Sequence, residues 1–165
     1  MTITMEKGKT SPSWRSKLEK EMEPRLVGVP DAWARAMGTG KMLIPTPRLI
    51  DDLVKKIPKG KLATVNQLRE TLAARYHADV TCPLTTGIFL NISAHAAEED
   101  ISAGKKRVTP YWRVLKEGGL LNPKFPGGCA MHASRLKAEG FGVMPARGKD
   151  KFVVKDFEKK LCNLR

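Results

Sequence analysis

The chain has 165 residues, 41% hydrophobic and 28% charged, with a net charge of +13 and a pI near 9.9. That length suits one domain with an appended segment, able to bury a core without disulfides or metal. Cys82, Cys129 and Cys162 are too scattered for a zinc site and odd in number for a disulfide framework, and no run is apolar enough for a membrane span or a signal peptide, so a cytoplasmic protein is expected.

Residues 1–44 are polar, with scattered Gly and Pro. They read as a partly flexible arm that packs weakly on the rest, with short helices over 13–22 and 30–37 and Trp14 and Trp33 as anchors. The domain is expected to run over 45–142. Thr46-Pro47 is an N-cap followed by proline at the first helical position, and Leu49, Ile50, Leu53, Val54 and Ile57 recur at helical spacing. Pro58 stops that helix. Thr64 and Gln67 form a capping box opening a helix to about His77. A third helix is expected from Pro83 to about Ala103, with Ile88, Phe89, Ile92 and Ala96 as its buried face. Two helices joined by a short turn make helix-turn-helix geometry.

Tyr111 to Leu115 has strand character, and Gly118-Gly119 marks a turn. Gly128 to Glu139 reads as a helix closed by Gly140. Phe141–Met144 and Phe152–Val154 pair as a hairpin around the basic loop 146–151, and 157–164 ends in a helical turn. Residues 143–165 are read as a basic C-terminal extension.

The charge is uneven. Residues 105–165 carry 15 basic and 5 acidic side chains, whereas residues 1–104 carry 15 and 12. A field concentrated in one part of the chain attracts polyanions, of which nucleic acid is the commonest, because phosphate contacts release counterions. The plainer alternative is a solubilising surface. No basic amphipathic helix points to an anionic membrane.

The stretch Ile57–Leu68 (IPKGKLATVNQL) resembles the entry to the DNA-binding domain of 6-O-methylguanine DNA methyltransferases. Thr109-Pro-Tyr-Trp-Arg-Val114 sits where that family has Pro-Cys-His-Arg-Val. The Gly118-Gly119 turn, the loop ending in Gly127-Gly128 and the helix with Arg135-Leu136 follow at matching spacing. The resemblance covers roughly 44–141 and is to the shorter alkyltransferase-like proteins, which lack the ribonuclease-like domain. It implies a mainly α fold with small β elements, a winged helix-turn-helix as in alkylguanine-DNA alkyltransferases.

The family transfers an alkyl group to a cysteine thiolate activated by histidine. Here Tyr111 and Trp112 hold those two positions, and a phenol of pKa ~10 with no adjacent base is a poor nucleophile. Cys129, on the next helix, is no replacement. The resemblance therefore implies a non-enzymatic protein without cofactor, which binds double-stranded DNA and altered bases and hands them to a repair partner. In the family the damaged nucleotide rotates out of the duplex. On that pattern Tyr111, Trp112, Arg113 and Phe125 line a base pocket, Arg113 more as an organiser than a contact. Thr85, Thr86 and Asn91 meet the groove. Lys105, Lys106, Arg107, Lys124 and Arg135 meet phosphates. Thr64 and Gln67 touch backbone or cap their own helix. The family's intercalating arginine and phosphate-pushing tyrosine are replaced by Gly87 and Val65, and Glu98-Glu99-Asp100 would repel phosphate if they faced DNA. The alternative is a general nucleic-acid-binding or protein-interaction module without lesion recognition. Nothing in the sequence calls for more than a monomer.

Overall fold

The structure is a computed structural model that describes residues 12–164; the first eleven residues of the expected arm lie outside it. Helix α1 (Trp14–Glu19) is capped by Ser13, whose hydroxyl accepts the Ser16 N–H. Strand β1 (Arg25–Gly28) leads through a 3-10 turn at Asp31–Trp33 into the one-turn helix α2 (Ala34–Met37) and then β2 (Lys41–Ile44). Helix α3 (Pro47–Lys55) starts at the Thr46 cap, as its spacing predicts. Strand β3 (Ala63–Thr64) runs into α4 (Val65–Arg75), where the Thr64–Gln67 capping box closes in both directions. Strand β4 (Val80–Thr81) precedes α5 (Pro83–Ser102), the longest helix.

A 3-10 turn at Tyr111–Arg113 and strand β5 (Val114–Leu115) stand where a longer strand is expected. Helix α6 (Gly128–Ala138) and the hairpin β6 (Val143–Pro145) and β7 (Phe152–Val154) follow. Strand β2 pairs antiparallel with β1 and parallel with β4, while β3 pairs parallel with β5. The architecture is mixed α/β, with three small sheets among the helices.

The arm expected to pack weakly is part of the domain from residue 12 onward. Strand β2 buries Met42 and Leu43 and bonds to β4, so a boundary at residue 44 would cut a sheet. Helix α1 lies on α5: Leu18 is buried, Trp14 stacks on His95 with ring centroids 4.2 Å apart, and the Trp14 N–H donates to Glu99. The C-terminal extension is equally integrated. The Leu62 N–H donates to the Lys160 carbonyl and the Cys162 N–H to the Leu62 carbonyl, and Leu164 is buried with the main core.

The main core sets Ile50, Leu53 and Val54 of α3 against Leu68 and Leu72 of α4 and Leu90, Ala94 and Ala97 of α5. Leu62, Leu115, Leu121, Leu136, Phe141 and Val154 form a second cluster beneath the hairpin. Helix α5 is buried over more than the expected face. Ala96 is buried and Phe89 packs on the core as expected, but Thr86, Leu90, Ser93, Ala94 and Ala97 are buried as well and Ile88 is 49% exposed. The small side chains let α1 and α3 approach closely, and the larger Ile88 turns outward. Asp51 ties this packing together from α3, accepting the hydroxyls of Ser93 (2.7 Å) and Thr109 (2.8 Å) and pairing with Lys55.

Docking of α1 has a direct measure. Leu18→Ala, in the otherwise unchanged chain, is expected to lower unfolding free energy in urea by about 2–4 kcal/mol, the cost of a buried leucine truncation. A loss within about 0.5 kcal/mol, the surface value, would mean that α1 is a loose arm.

Candidate nucleic-acid interface

The turn aligned with the family's reactive motif is built around a filled interior. Tyr111 is fully buried, set edge-on against Trp112 and Phe125. Its hydroxyl donates to Glu98 Oε1 at 2.7 Å, and the Arg135 guanidinium holds the same carboxylate at 2.9 Å. Burial pushes the Tyr111 phenol well above its ordinary range, and the hydrogen bond to Glu98 and the Glu98 charge add to the shift. A buried phenol held by a carboxylate in this way stays neutral at working pH and is a poor nucleophile. Phe125 is also sealed. These two rings are core, which corrects the expectation that they line an open base pocket: the phenol occupies the space such a pocket would need. Trp112 is half-buried, with Arg135 5.7 Å above its ring.

Arg113 is also internal. It grips Glu139 through Nε and Nη2, the shortest contact 2.6 Å, and donates from Nη1 to the Ile57 carbonyl. Burial alone would raise the Glu139 carboxyl, but the Arg113 hydrogen bonds and the Trp112 indole outweigh it and hold the carboxyl below its ordinary value. Arg113 thus anchors the Tyr111–Arg113 turn to the segments that follow α3 and α6 instead of lining a pocket. The acids Glu98, Glu99 and Asp100 are likewise used inside the fold, by Tyr111 and Arg135, by the α1 N-terminus, and by Arg15 and Lys105. The repulsion of phosphate anticipated from them is largely removed.

Several expected DNA contacts have structural partners instead. Thr64 and Gln67 cap α4, and Gln67 Nε2 donates to the Cys162 carbonyl. Thr86 is buried, and its hydroxyl bonds back to the Cys82 carbonyl, so it cannot reach a groove. Arg135 is committed to Glu98. Lys105, Lys106 and Arg107 lie just beyond the far end of α5, about 30 Å along its axis from Pro83 at 1.5 Å per residue.

What remains exposed converges elsewhere. A cleft of about 460 Å³ opens between the first turns of α5, the start of α4 and the loop 116–124. Leu84, Gly87, Ile88 and Asn91 of α5 form one wall; Val65, Asn66 and Arg69 of α4 form another; Lys116, Glu117, Asn122 and Lys124 close it. Leu84 and Ile88 are 60% and 49% exposed, one helical turn apart. Gly87 faces open space, where an added Cβ would meet nothing within 4 Å. Arg69 donates to the Thr81 carbonyl and to Asn66, and Asn66 also hydrogen-bonds Glu117. Asn91 Oδ1 is shielded and unpartnered among the described residues, as is Thr85 Oγ1. Of the residues expected to meet DNA, Asn91 and Lys124 line this cleft, beside Gly87 and Val65. Ile88 is expected in the core and stands on the cleft wall instead, and nothing local marks Arg69, Asn66, Lys116 or Leu84, since no local signal shows which surface residues meet across 50 positions of chain.

The loop 116–124 is held by His132, a fully buried residue. Its Nδ1 accepts the Asn122 N–H at 3.1 Å, so the ring proton sits on Nε2 and is donated to the Trp112 carbonyl at 2.8 Å. One neutral imidazole thus joins the Tyr111–Arg113 turn to the edge of the cleft. Burial pushes its pKa down to about 4, outweighing the upward effect of the Trp112 carbonyl.

Among the described residues no helix is long and apolar enough to cross a membrane, and no group of three or more His, Cys, Asp or Glu converges as a metal site. No protein-family model, characterised protein or solved structure matches the chain.

The His132 bridge gives the fold a pH dependence. Its folded pKa lies below the 6.5 of a free histidine, so the unfolded chain takes up a proton that the folded one excludes. Its contribution is complete above about pH 6.5 and is lost as pH falls toward 4, to a total of about 3 kcal/mol. Urea unfolding at pH 7, 5.5 and 4.5 should show that decline, and His132→Gln should flatten it. Identical pH slopes for the two proteins would refute this account.

Proposed function

We propose that this chain is a non-enzymatic protein that binds double-stranded DNA through a winged helix-turn-helix of the alkyltransferase-like type. In this reading α4 and α5 are the helix pair, and the first turns of α5 meet the duplex. The observation that carries it is the outward face of α5: Leu84, Gly87 and Ile88 stand exposed beside a cleft edged by Lys116 and Lys124. An α-helix with an open face and flanking cations is the usual means of entering a DNA groove.

The absence of alkyl transfer follows from chemistry. The position of the family's thiol holds a sealed phenol, and that of its histidine holds Trp112. Cys129 has a thiol pushed up by burial, which Lys116 only partly offsets, so a reactive thiolate is not favoured there.

Recognition of an altered base, if the duplex delivers one, belongs in this reading to the cleft beside α5 and not to the Tyr111 ring. A volume of about 460 Å³ falls within the range of small-ligand sites, and Asn66, Asn91 and Asn122 offer amide donors and acceptors along its walls. The sealing of Tyr111 and Phe125 favours a second reading, a general duplex binder without lesion preference. The two separate in one titration of the purified protein against matched duplexes with and without an alkylated guanine. Tighter binding to the alkylated duplex supports lesion sensing, equal affinity supports the second reading, and no binding at low salt removes both. A gain of one alkyl mass on the protein would overturn the non-enzymatic assignment.

Gly87 provides the residue-level test. Replacing a helical glycine that faces open space should raise stability by about 0.5–1 kcal/mol. Gly87→Glu should therefore melt higher, yet bind duplex at least about ten-fold more weakly, because it sets a carboxylate against phosphate within a Debye length of about 8 Å. Unchanged affinity in this more stable variant would remove α5 from the interface.

A further inference from the structure

The hairpin β6–β7 is bonded to the loop that closes the cleft. Leu120 bridges antiparallel to Val153, and the Leu121 N–H donates to the Phe152 carbonyl at 3.0 Å. Lys116 and Asn122, on either side of that contact, both line the cleft. Antiparallel register then sets the direction of the tip. Passing back from Val153 to Phe152 and Lys151, the partner advances from Leu120 to Leu121 and toward Asn122, so the loop 146–151 is carried to the Asn122–Lys124 end of the cleft. Pro145 and Phe152, the strand pair next to the turn, line a cavity together with Cys129 and Ala133 of α6. Asp150 of the tip and Lys116 of the cleft both act on the Cys129 thiol, as two groups on one side of the molecule would.

The tip carries Arg147, Lys149 and Lys151 against a single acid, Asp150. All three cations are exposed, and none is in an ion pair among the described residues. This contrasts with Arg15, Lys55, Lys105, Arg113 and Arg135, each of which has a carboxylate. Three cations left without acids on a turn closed by the Ala146–Lys151 backbone bond form a surface suited to a regular array of negative charge.

We infer that the β6–β7 hairpin is a basic arm that grips the sugar-phosphate backbone of the same duplex, next to the segment met by α5, with Arg147, Lys149 and Lys151 each facing a phosphate. The inference rests on the proposed DNA binding and extends its footprint to residues 143–154, outside the region that resembles alkyltransferases. Contacts of this kind add affinity without reading sequence, because phosphates are the same at every base pair.

Counterion release provides the test. Each phosphate neutralised on duplex DNA contributes about 0.9 to the slope of log affinity against log salt. The intact chain, a variant with Arg147→Ala, Lys149→Ala and Lys151→Ala, and a control with Lys105→Ala, Lys106→Ala and Arg107→Ala are titrated against one unmodified duplex between 50 and 200 mM salt. Both variants lose three charges, so net charge is matched. The hairpin variant is expected to have a slope shallower by about 2–3, and the control by less than about 1. Equal changes in the two variants, or an unchanged slope in the hairpin variant with wild-type binding intact, would overturn the arm. Absence of wild-type binding would instead strike the DNA reading itself. Thermal melting of both variants checks that each is folded.

Discussion

The carboxylate of Glu98, about three-quarters of the way along α5, is where the interior of this protein is organised. It accepts the Tyr111 hydroxyl and the Arg135 guanidinium together, so one side chain joins the central helix to the Tyr111–Arg113 turn and to α6. A shielded phenol must have an acceptor, and a shielded carboxylate must have donors; each requirement here is met by the other group. Removing Glu98 leaves the buried phenol without its acceptor, at a cost of about 1–3 kcal/mol. Aromatic bulk and a paired charge therefore close the interior behind the Tyr111–Arg113 turn.

Closure of that interior shifts the open surface outward. Arg113, bound to Glu139 and to the Ile57 carbonyl, fixes the turn from below, and His132 fixes the loop beyond it. The loop 116–124 has short 3-10 and turn segments and little regular structure of its own. Its shape depends on the imidazole and on β7. A cleft edge held by buried hydrogen bonds loses little freedom when something binds against it, so less affinity is spent on ordering it.

The parts of the fold legible in the sequence are those determined by local chemistry. Thr46-Pro47 and the Thr64–Gln67 box mark helix starts because backbone N–H groups need partners within three residues. The helix closed by Gly140 and the hairpin around 146–151 are local in the same sense. The orientation of α5 was not legible. It is apolar on several sides, with Ile88, Phe89, Leu90 and Ile92 in near succession, so the 3.6-residue period does not single out one face. The docking of α1 on His95, Glu99 and Asp100 and of α3 on Ser93 decides it, through contacts some 40 to 85 residues apart. Strands β3, β4 and β5, of two residues each, leave no periodic trace, and the pairing of β2 with β4 joins residues nearly 40 apart. The candidate site shows the same division: Asn91 and Lys124 could be named from composition and motif, whereas Arg69 and Lys116 reach the cleft only through chain topology.

A net charge of +13 says little about binding until its position is known. Screening confines the useful interaction of an exposed cation to about 8 Å at physiological ionic strength. Lys105, Lys106 and Arg107 form the densest basic run in the sequence, yet they stand about a helix length from the cleft. At that distance their field at the cleft is largely screened. Lys116 and Lys124 lie at the cleft itself, and the hairpin tip is bonded into the same loop. Glu98, Glu99 and Asp100 stand about 20 Å along α5 from its first turn and are paired there with Tyr111, Arg135, the α1 backbone, Arg15 and Lys105. The carboxylate beside Lys116 and Lys124 is that of Glu117, which Asn66 holds.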